Sequence, residues 1–326
     1  MSNYNVIVPH YSVMLADSLA TIIQQQYSFK HDIRMELLSA AMNDIYRVYS
    51  GTYRYYLRIP RHERFWPYTL ESYRFEMELL NYLRQADLKV TYPIPTRDKQ
   101  FLGILNAPEG LRYYCLQTEA TGLEPDSSDV KHMYKLGEYL AKFHQITERY
   151  QPRHQGLSWD LDLLLDYGLS KLKTHLPEDP NPDFKEILQR VRELTASFYE
   201  LLPEKSSLIW GIIHGNYKTK HTRISDDGIV SFDFENCGYG YRIMDFAYII
   251  HQTNITNLKN RPFQEFLKGY LSLRLLSDVE IKALQIMSKL ILVSQATRSV
   301  GMRDLVGVLW FDQQIRNDLT IIKKIL

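Results

Sequence analysis

Cysteine is nearly absent from the 326-residue chain: Cys115 and Cys237 are the only two. They build no disulfide framework and no C-x-x-C metal motif, which points to a reducing, cytoplasmic setting. An excess of one charge is missing too. Lys plus Arg (39) nearly cancels Asp plus Glu (38), so nothing advertises nucleic acid or an anionic membrane as a partner. Long hydrophobic runs are lacking: Leu290-Ile291-Leu292-Val293 falls far short of the roughly 20 residues a bilayer requires. Met1 to His10 shows no basic patch followed by an apolar run, so no secretory leader is expected. No internal repeat or low-complexity tract appears. What remains is the composition of a globular protein long enough for one large domain or two modest lobes.

Periodicity divides that length. Ser12 to Tyr27 carries helical spacing at Val13, Leu15, Leu19, Ile22 and Ile23. From Ile33 the character changes. Ile45–Tyr49 and Tyr53–Ile59 are β-branched and aromatic runs around Ser50-Gly51-Thr52, a hairpin signal. A helix is predicted over Leu70–Gln85, with Phe75, Leu79, Leu80 and Leu83 on one face. Strands follow over Phe101–Leu105 and Arg112–Glu119. Beyond Gly122–Ser128 the pattern turns helical, over Met133–Thr147, Pro182–Leu202 and two or three segments from Pro262 onward. The expected fold is α+β and bilobal. A small β-rich lobe occupies residues 1–119, and a larger, mainly helical lobe occupies residues 120–326. A cleft between lobes is the usual place for a ligand.

The chemistry gathers in Ile213-His214-Gly215-Asn216-Tyr217-Lys218-Thr219-Lys220-His221 and in Ser231-Phe232-Asp233-Phe234-Glu235. Taken alone, the first stretch is also readable as a buried His beside an Asn turn. The second carries its acids on a strand one short hairpin later, after the turn Ser225-Asp226-Asp227-Gly228. Taken alone, it is also readable as a solvated acid pair.

In order, the two stretches resemble the H-G-D-x-x-x-x-N and hydrophobic-D-x-E signature of the aminoglycoside phosphotransferase and choline kinase family. The resemblance implies a protein-kinase-like fold and transfer of phosphate from ATP, with Mg²⁺, to a hydroxyl. By that resemblance His214 belongs to the catalytic loop, and Asn216 stands where the family has its catalytic Asp. His221 stands at a metal-ligand position, Asp233 is a metal ligand, and Glu235, completing the acid pair, is a further metal candidate. Asp245, in Tyr241–Ala247, matches an Asp that steadies the loop, and a helix N-cap role is compatible with that reading. Asn can hold a substrate hydroxyl but has no useful basicity. His221 offers nitrogen where Mg²⁺ prefers oxygen.

Further matches run from about residue 33 to about residue 270. Arg58 corresponds to the strand cation that meets the α/β-phosphates and Glu76 to its helix partner, with Arg54 and Glu78 as competing assignments. The loop Leu38–Asp44 lacks the glycines that close over phosphate, leaving small residues such as Ser39 for that task. Cys115–Gly122, with Gln117 and Glu119, resembles the hinge that grips adenine. Leu136-Gly137-x-x-Leu140-Ala141-x-x-His144 resembles the helix behind the catalytic loop.

The partners implied are a nucleotide and a hydroxyl-bearing small molecule or peptide. Acids beside aromatics in Gly156–Tyr167 suit an amino-sugar, choline-like or amino-alcohol acceptor, or else form a plain Asp-rich helix start. The alternative function is a catalytically silent relative that binds nucleotide or a partner protein as a scaffold or regulator.

Overall fold

The structure, a computed structural model, describes residues 9–61, 64–175, 182–253 and 258–326. Most of the segment read for a leader, residues 1–8, lies outside them. Helix α1 (Ala16–Gln26) precedes strands β1 (Ile33–Ala40), β2 (Asn43–Ser50) and β3 (Tyr53–Pro60). Helix α2 (Leu70–Gln85) follows, then β4 (Gly103–Ala107) and β5 (Gly110–Thr118). The five strands form one antiparallel sheet in the order β1-β2-β3-β5-β4.

Alternation along these strands decides what faces the site. Tyr46, Val48, Leu57 and Ile59 join Leu19 and Ile23 of α1 in a small apolar core. Successive strand residues point to opposite faces, so Ile45, Tyr56 and Arg58 emerge on the other side. Helix α2 opens with a reciprocal Thr69–Ser72 capping box and buries Phe75, Leu79, Leu80 and Leu83. Glu76 is buried on the same helix, at a position an apolar stripe would normally fill.

The rest of the chain is mostly helical: α3 (Val130–Thr147), α4 (Gly168–Lys173), α5 (Pro182–Leu201), α6 (Ile243–Gln252), α7 (Arg261–Leu271), α8 (Asp278–Thr297), α9 (Arg303–Val306) and α10 (Val308–Ile325). Short strands β6 (Leu157–Trp159), β7 (Trp210–Ile213), β8 (Thr222–Ser225), β9 (Gly228–Ser231) and β10 (Gly238–Tyr241) interrupt them. Strands β6, β10 and β7 make a three-stranded sheet, and β8 and β9 make a hairpin. Helices α3 and α7 approach closely at two glycines. A Cβ on Gly137 would lie 1.9 Å from the Phe266 carbonyl oxygen, and one on Gly269 would lie 2.0 Å from that of Tyr134.

Two backbone contacts place the hairpin beside the first sheet. Thr91 donates to Ser231 and Leu123 to Ile224, each at 3.0 Å. The loop after β7 and the turn after β9 therefore open toward the face that carries Arg58. Among the described residues, no helix is long and apolar enough to cross a membrane.

Candidate active site

Two pockets flank the turn Asp233–Asn236. The larger, 480 Å³, is bounded by Tyr56 and Arg58 of β3, by Gln117 and Glu119 at the end of β5, and by His221 and Asp233. The smaller, 100 Å³, is bounded by Arg64, Trp66, Tyr68, Glu235, Asn236 and Arg298. Asp233 faces the first and Glu235 the second.

In the larger pocket Arg58 and Glu76 form an ion pair of 2.5 Å, their side chains only 7% and 2% exposed. Arg58 Nε and Glu76 Oε1 are buried without a partner. Burial opposes the Arg58 charge, but the Glu76 carboxylate more than compensates and holds the guanidinium well above its ordinary range. The competing residues lie elsewhere. Arg54, 53% exposed, reaches Glu119 at 3.6 Å, and Glu78 binds the exposed Arg153 at 2.7 Å.

Ser39 does not join this pocket. The loop expected over residues 38–44 is mostly strand: β1–β2 pairing continues to Ala40 and Asp44, and a bulge between Leu37 and Ser39 leaves Ser39 exposed.

After β7 the chain turns at Gly215, with φ of 73°. A Cβ there would fall 2.1 Å from the Asn236 carbonyl oxygen, so only glycine fits. His214 points away from the larger pocket. Its Nε2 lies 3.1 Å from both Ser231 Oγ and the Phe232 carbonyl, and its ring lies 4.1 Å from that of Phe234. Burial pulls its pKa down to about 3, so the ring is neutral and Nε2–H donates to the carbonyl. Its work is to tie the loop to the Asp233 turn.

Asp245, in the first turn of α6, braces the loop from behind. Its carboxylate accepts the His214 and Gly215 backbone N–H groups, each at 2.9 Å. His144 Nε2 lies 3.2 Å from the same carboxylate, and His144 Nδ1 lies 2.9 Å from the Tyr270 hydroxyl. Arg242 occupies the N-cap of α6, so Asp245 is in the first turn and not at the cap.

The acids expected on a strand lie just beyond one. Strand β9 ends at Ser231, and Asp233 takes a left-handed conformation (φ 65°, ψ 52°) that breaks the ladder. Asn216 Nδ2 donates to Asp233 Oδ2 at 2.9 Å, and Asn216 Oδ1 is buried without a partner. His221 Nδ1 lies 2.9 Å from the Asn216 carbonyl, which can only accept, so Nδ1 carries the hydrogen. His221 Nε2 is thereby turned to Asp233 Oδ2 at 3.3 Å. Burial and then Glu235 push the Asp233 carboxyl above its usual range.

Glu235 was expected beside Asp233 as a metal candidate, but cations draw it away. Arg64 Nη2 reaches it at 2.9 Å and Asn43 Nδ2 at 2.5 Å. Burial opposes its ionisation, yet Arg64 and Arg58 hold its carboxyl at about 2. Among the described residues, no three His, Cys, Asp or Glu side chains converge as a metal site. The donors that do converge are the Asp233 carboxylate and His221 Nε2, with the unpartnered Asn216 Oδ1 on the neighbouring carboxamide.

Three cations escaped the sequence reading. Arg64 and Arg298 each keep two guanidinium nitrogens buried without a partner. Lys218 is buried with its ammonium 5.4 Å from the Tyr248 ring centre, and burial, Lys220 and Arg298 bring its pKa down to about 8. The Gly156–Tyr167 acids lie away from both pockets. Asp160 accepts from Leu163 N at 3.0 Å and sits 3.7 Å from Lys205, while Asp162 and Asp166 are exposed. The helix-start reading of those acids therefore holds, and only the aromatics reach the smaller pocket, through Trp159 against Trp66.

Residues 35–280 match the sequence profile described as "Phosphotransferase enzyme family". An uncharacterized protein of Synechocystis sp. is 27% identical over 287 residues, 86% of this chain and 76% of that protein. Among solved structures, an amicoumacin kinase in complex with AMP-PNP, Ca²⁺ and Ami matches with a TM-score of 0.75 and 18% identity, over 97% of this chain and 94% of that one. A microcompartment-associated aminopropanol kinase matches with a TM-score of 0.74 and 19% identity, over 94% of this chain and 97% of that one. The kinase-like α+β fold expected from the sequence is the fold observed.

Proposed function

The chain belongs to the phosphotransferase enzyme family, and from that premise we propose that it transfers the γ-phosphoryl group of ATP, with Mg²⁺, to a hydroxyl of a small molecule. One observation carries the reading: two pockets of unequal size flank the turn Asp233–Asn236, and Asp233 in that turn is hydrogen-bonded to Asn216 on a loop braced by Asp245. Phosphoryl transfer depends on positioning and charge more than on covalent help, and this arrangement offers both.

The larger pocket takes the nucleotide, with adenine against residues 117–120 and the phosphates toward Arg58. Glu76 holds the guanidinium in place across 2.5 Å. Asp233 and His221 would hold the divalent cation, which supplies positive charge to the phosphates. Asn216 orients the acceptor hydroxyl through Oδ1, the atom left without a partner. The acceptor oxygen bonds to the γ-phosphorus as the bridging P–O bond to the β-phosphate breaks, and ADP leaves. The carboxamide takes no proton, so the hydroxyl hydrogen passes to a phosphoryl oxygen of the product. Absence of a general base lowers the rate by about 10²–10⁴-fold and does not abolish transfer.

A second reading, nucleotide binding without turnover, draws on the Asn216 amide being tied to Asp233. Titration of a fluorescent ATP analogue with Mg²⁺, followed by ADP release over a panel of hydroxylated acceptors, separates the two. Saturable binding that is lost in Asp233→Ala, together with acceptor-dependent ADP release, is the expected outcome. Binding without release favours the second reading, and no Mg²⁺-dependent nucleotide binding at all overturns both.

A further inference from the structure

The 100 Å³ pocket is lined by more positive charge than its single carboxylate can neutralise. Arg64, with a side chain 5% exposed, bonds Glu235 through Nη2, while its Nε and Nη1 are buried without a partner. Arg298 enters from the end of α8 and lies over the Trp66 ring, with Nε and Nη2 also buried and unpartnered. The Nδ2 of Asn236 is a third buried donor lacking an acceptor. Lys218, outside the lining, adds positive charge beside Arg298, and Asp233 on the other side of the turn is the carboxylate that acts on it. Glu235 already serves Arg64 and Asn43.

Buried N–H donors without acceptors are costly, and a protein retains them where a ligand completes them. The planar guanidinium fork matches the paired oxygens of a carboxylate or phosphate. An ammonium group in the same space would face Arg64 and Arg298 with only the engaged Glu235 to oppose them. We propose that this pocket binds an anionic group of the acceptor, so that the substrate is a hydroxylated carboxylate or organic phosphate. The proposal rests on the kinase reading above and departs from the amine-bearing acceptor expected from the sequence. Asn236 abuts Gly215, the residue before Asn216. The pocket therefore adjoins the turn that leads to the carboxamide.

The same chemistry has a second source, the γ-phosphate of the nucleotide. Isothermal titration of the full chain separates the two. D-Glycerate and glycerol 3-phosphate serve as anionic probes, and choline and 3-aminopropanol as cationic ones, each against protein saturated with AMP-PNP and Mg²⁺. Saturable binding of either anion and of neither cation is expected. Arg298→Gln should weaken anion binding at least tenfold, and Asn236→Ala, which removes the free Nδ2 donor, should weaken it independently should the first variant fail to fold. Binding of a cation alone, or of none of the four, overturns the proposal. So does an anion that binds the ADP-loaded protein and is expelled by AMP-PNP, which assigns the pocket to the γ-phosphate. Failure of nucleotide binding alone, with anions still bound by the nucleotide-free protein, overturns the kinase reading and leaves the anion site standing.

Discussion

Asn216 donates its carboxamide N–H to the Asp233 carboxylate across 2.9 Å. An Asp at position 216 would place two carboxylates at that separation, and both cannot ionise without a cation between them. Asn216→Asp should therefore make stability depend on divalent metal: lower than wild type in EDTA, recovered with Mg²⁺. Acceptor-dependent ADP release should rise, by up to about 10²–10⁴-fold. Urea unfolding with and without Mg²⁺ and a coupled ADP assay check both. An unchanged rate with metal bound would show that proton removal does not limit turnover.

The Arg58–Glu76 pair is almost wholly buried, so removing one partner strands the other charge. Glu76→Gln should cost on the order of 3–5 kcal/mol in unfolding free energy and weaken nucleotide binding. The double variant Arg58→Met, Glu76→Leu should lose much less stability, because no uncompensated charge remains. Strict additivity of the two single changes in a double-mutant cycle would contradict this.

Glu235 sets an acid limit on the fold. Its carboxyl sits at about 2 in the folded chain against an ordinary value of 4.5. The unfolded chain therefore binds more protons between those values, and stability rises with pH through that window. The contribution, on the order of 3 kcal/mol from the shift, is complete above pH 4.5 and is lost as pH falls toward 2. The stability difference between wild type and Glu235→Gln should shrink across that interval. A difference constant with pH would remove the Arg64 and Arg58 fields as its cause.

Gly137→Ala tests the α3–α7 contact. The added methyl would stand 1.9 Å from the Phe266 carbonyl oxygen, a backbone atom that cannot swing aside. Separation of the helices should cost about 1–3 kcal/mol, against the gain in helix propensity that alanine normally brings. A melting temperature at or above wild type would refute the close approach.

The parts legible in the sequence are those with a period. Helix α2 spans the predicted residues because its apolar positions recur on one face and Thr69 caps it. Helix α3 starts before the predicted Met133, since the Asp129 side chain accepts from Lys131 and His132 N–H one turn earlier. Choice between Arg58 and Arg54 needed the strand register, which no composition shows. The left-handed Asp233 leaves no mark either, because a non-glycine residue with positive φ is set by its surroundings. Arg64 and Arg298 lie on distant elements, and only tertiary packing brings them to one pocket. Lys218 sits inside the motif at a position the family pattern leaves open.

The Asp245 brace has a consequence for the loop's chemistry. It grips the loop by the backbone N–H groups of His214 and Gly215, not by any side chain that faces substrate. The path of the main chain is thus insured separately from the residue types displayed at positions 216 and 221. An acid, an amide or an imidazole can therefore be exchanged there while the scaffold stays put, so under the proposed function the side-chain chemistry of this loop is separable from its fold.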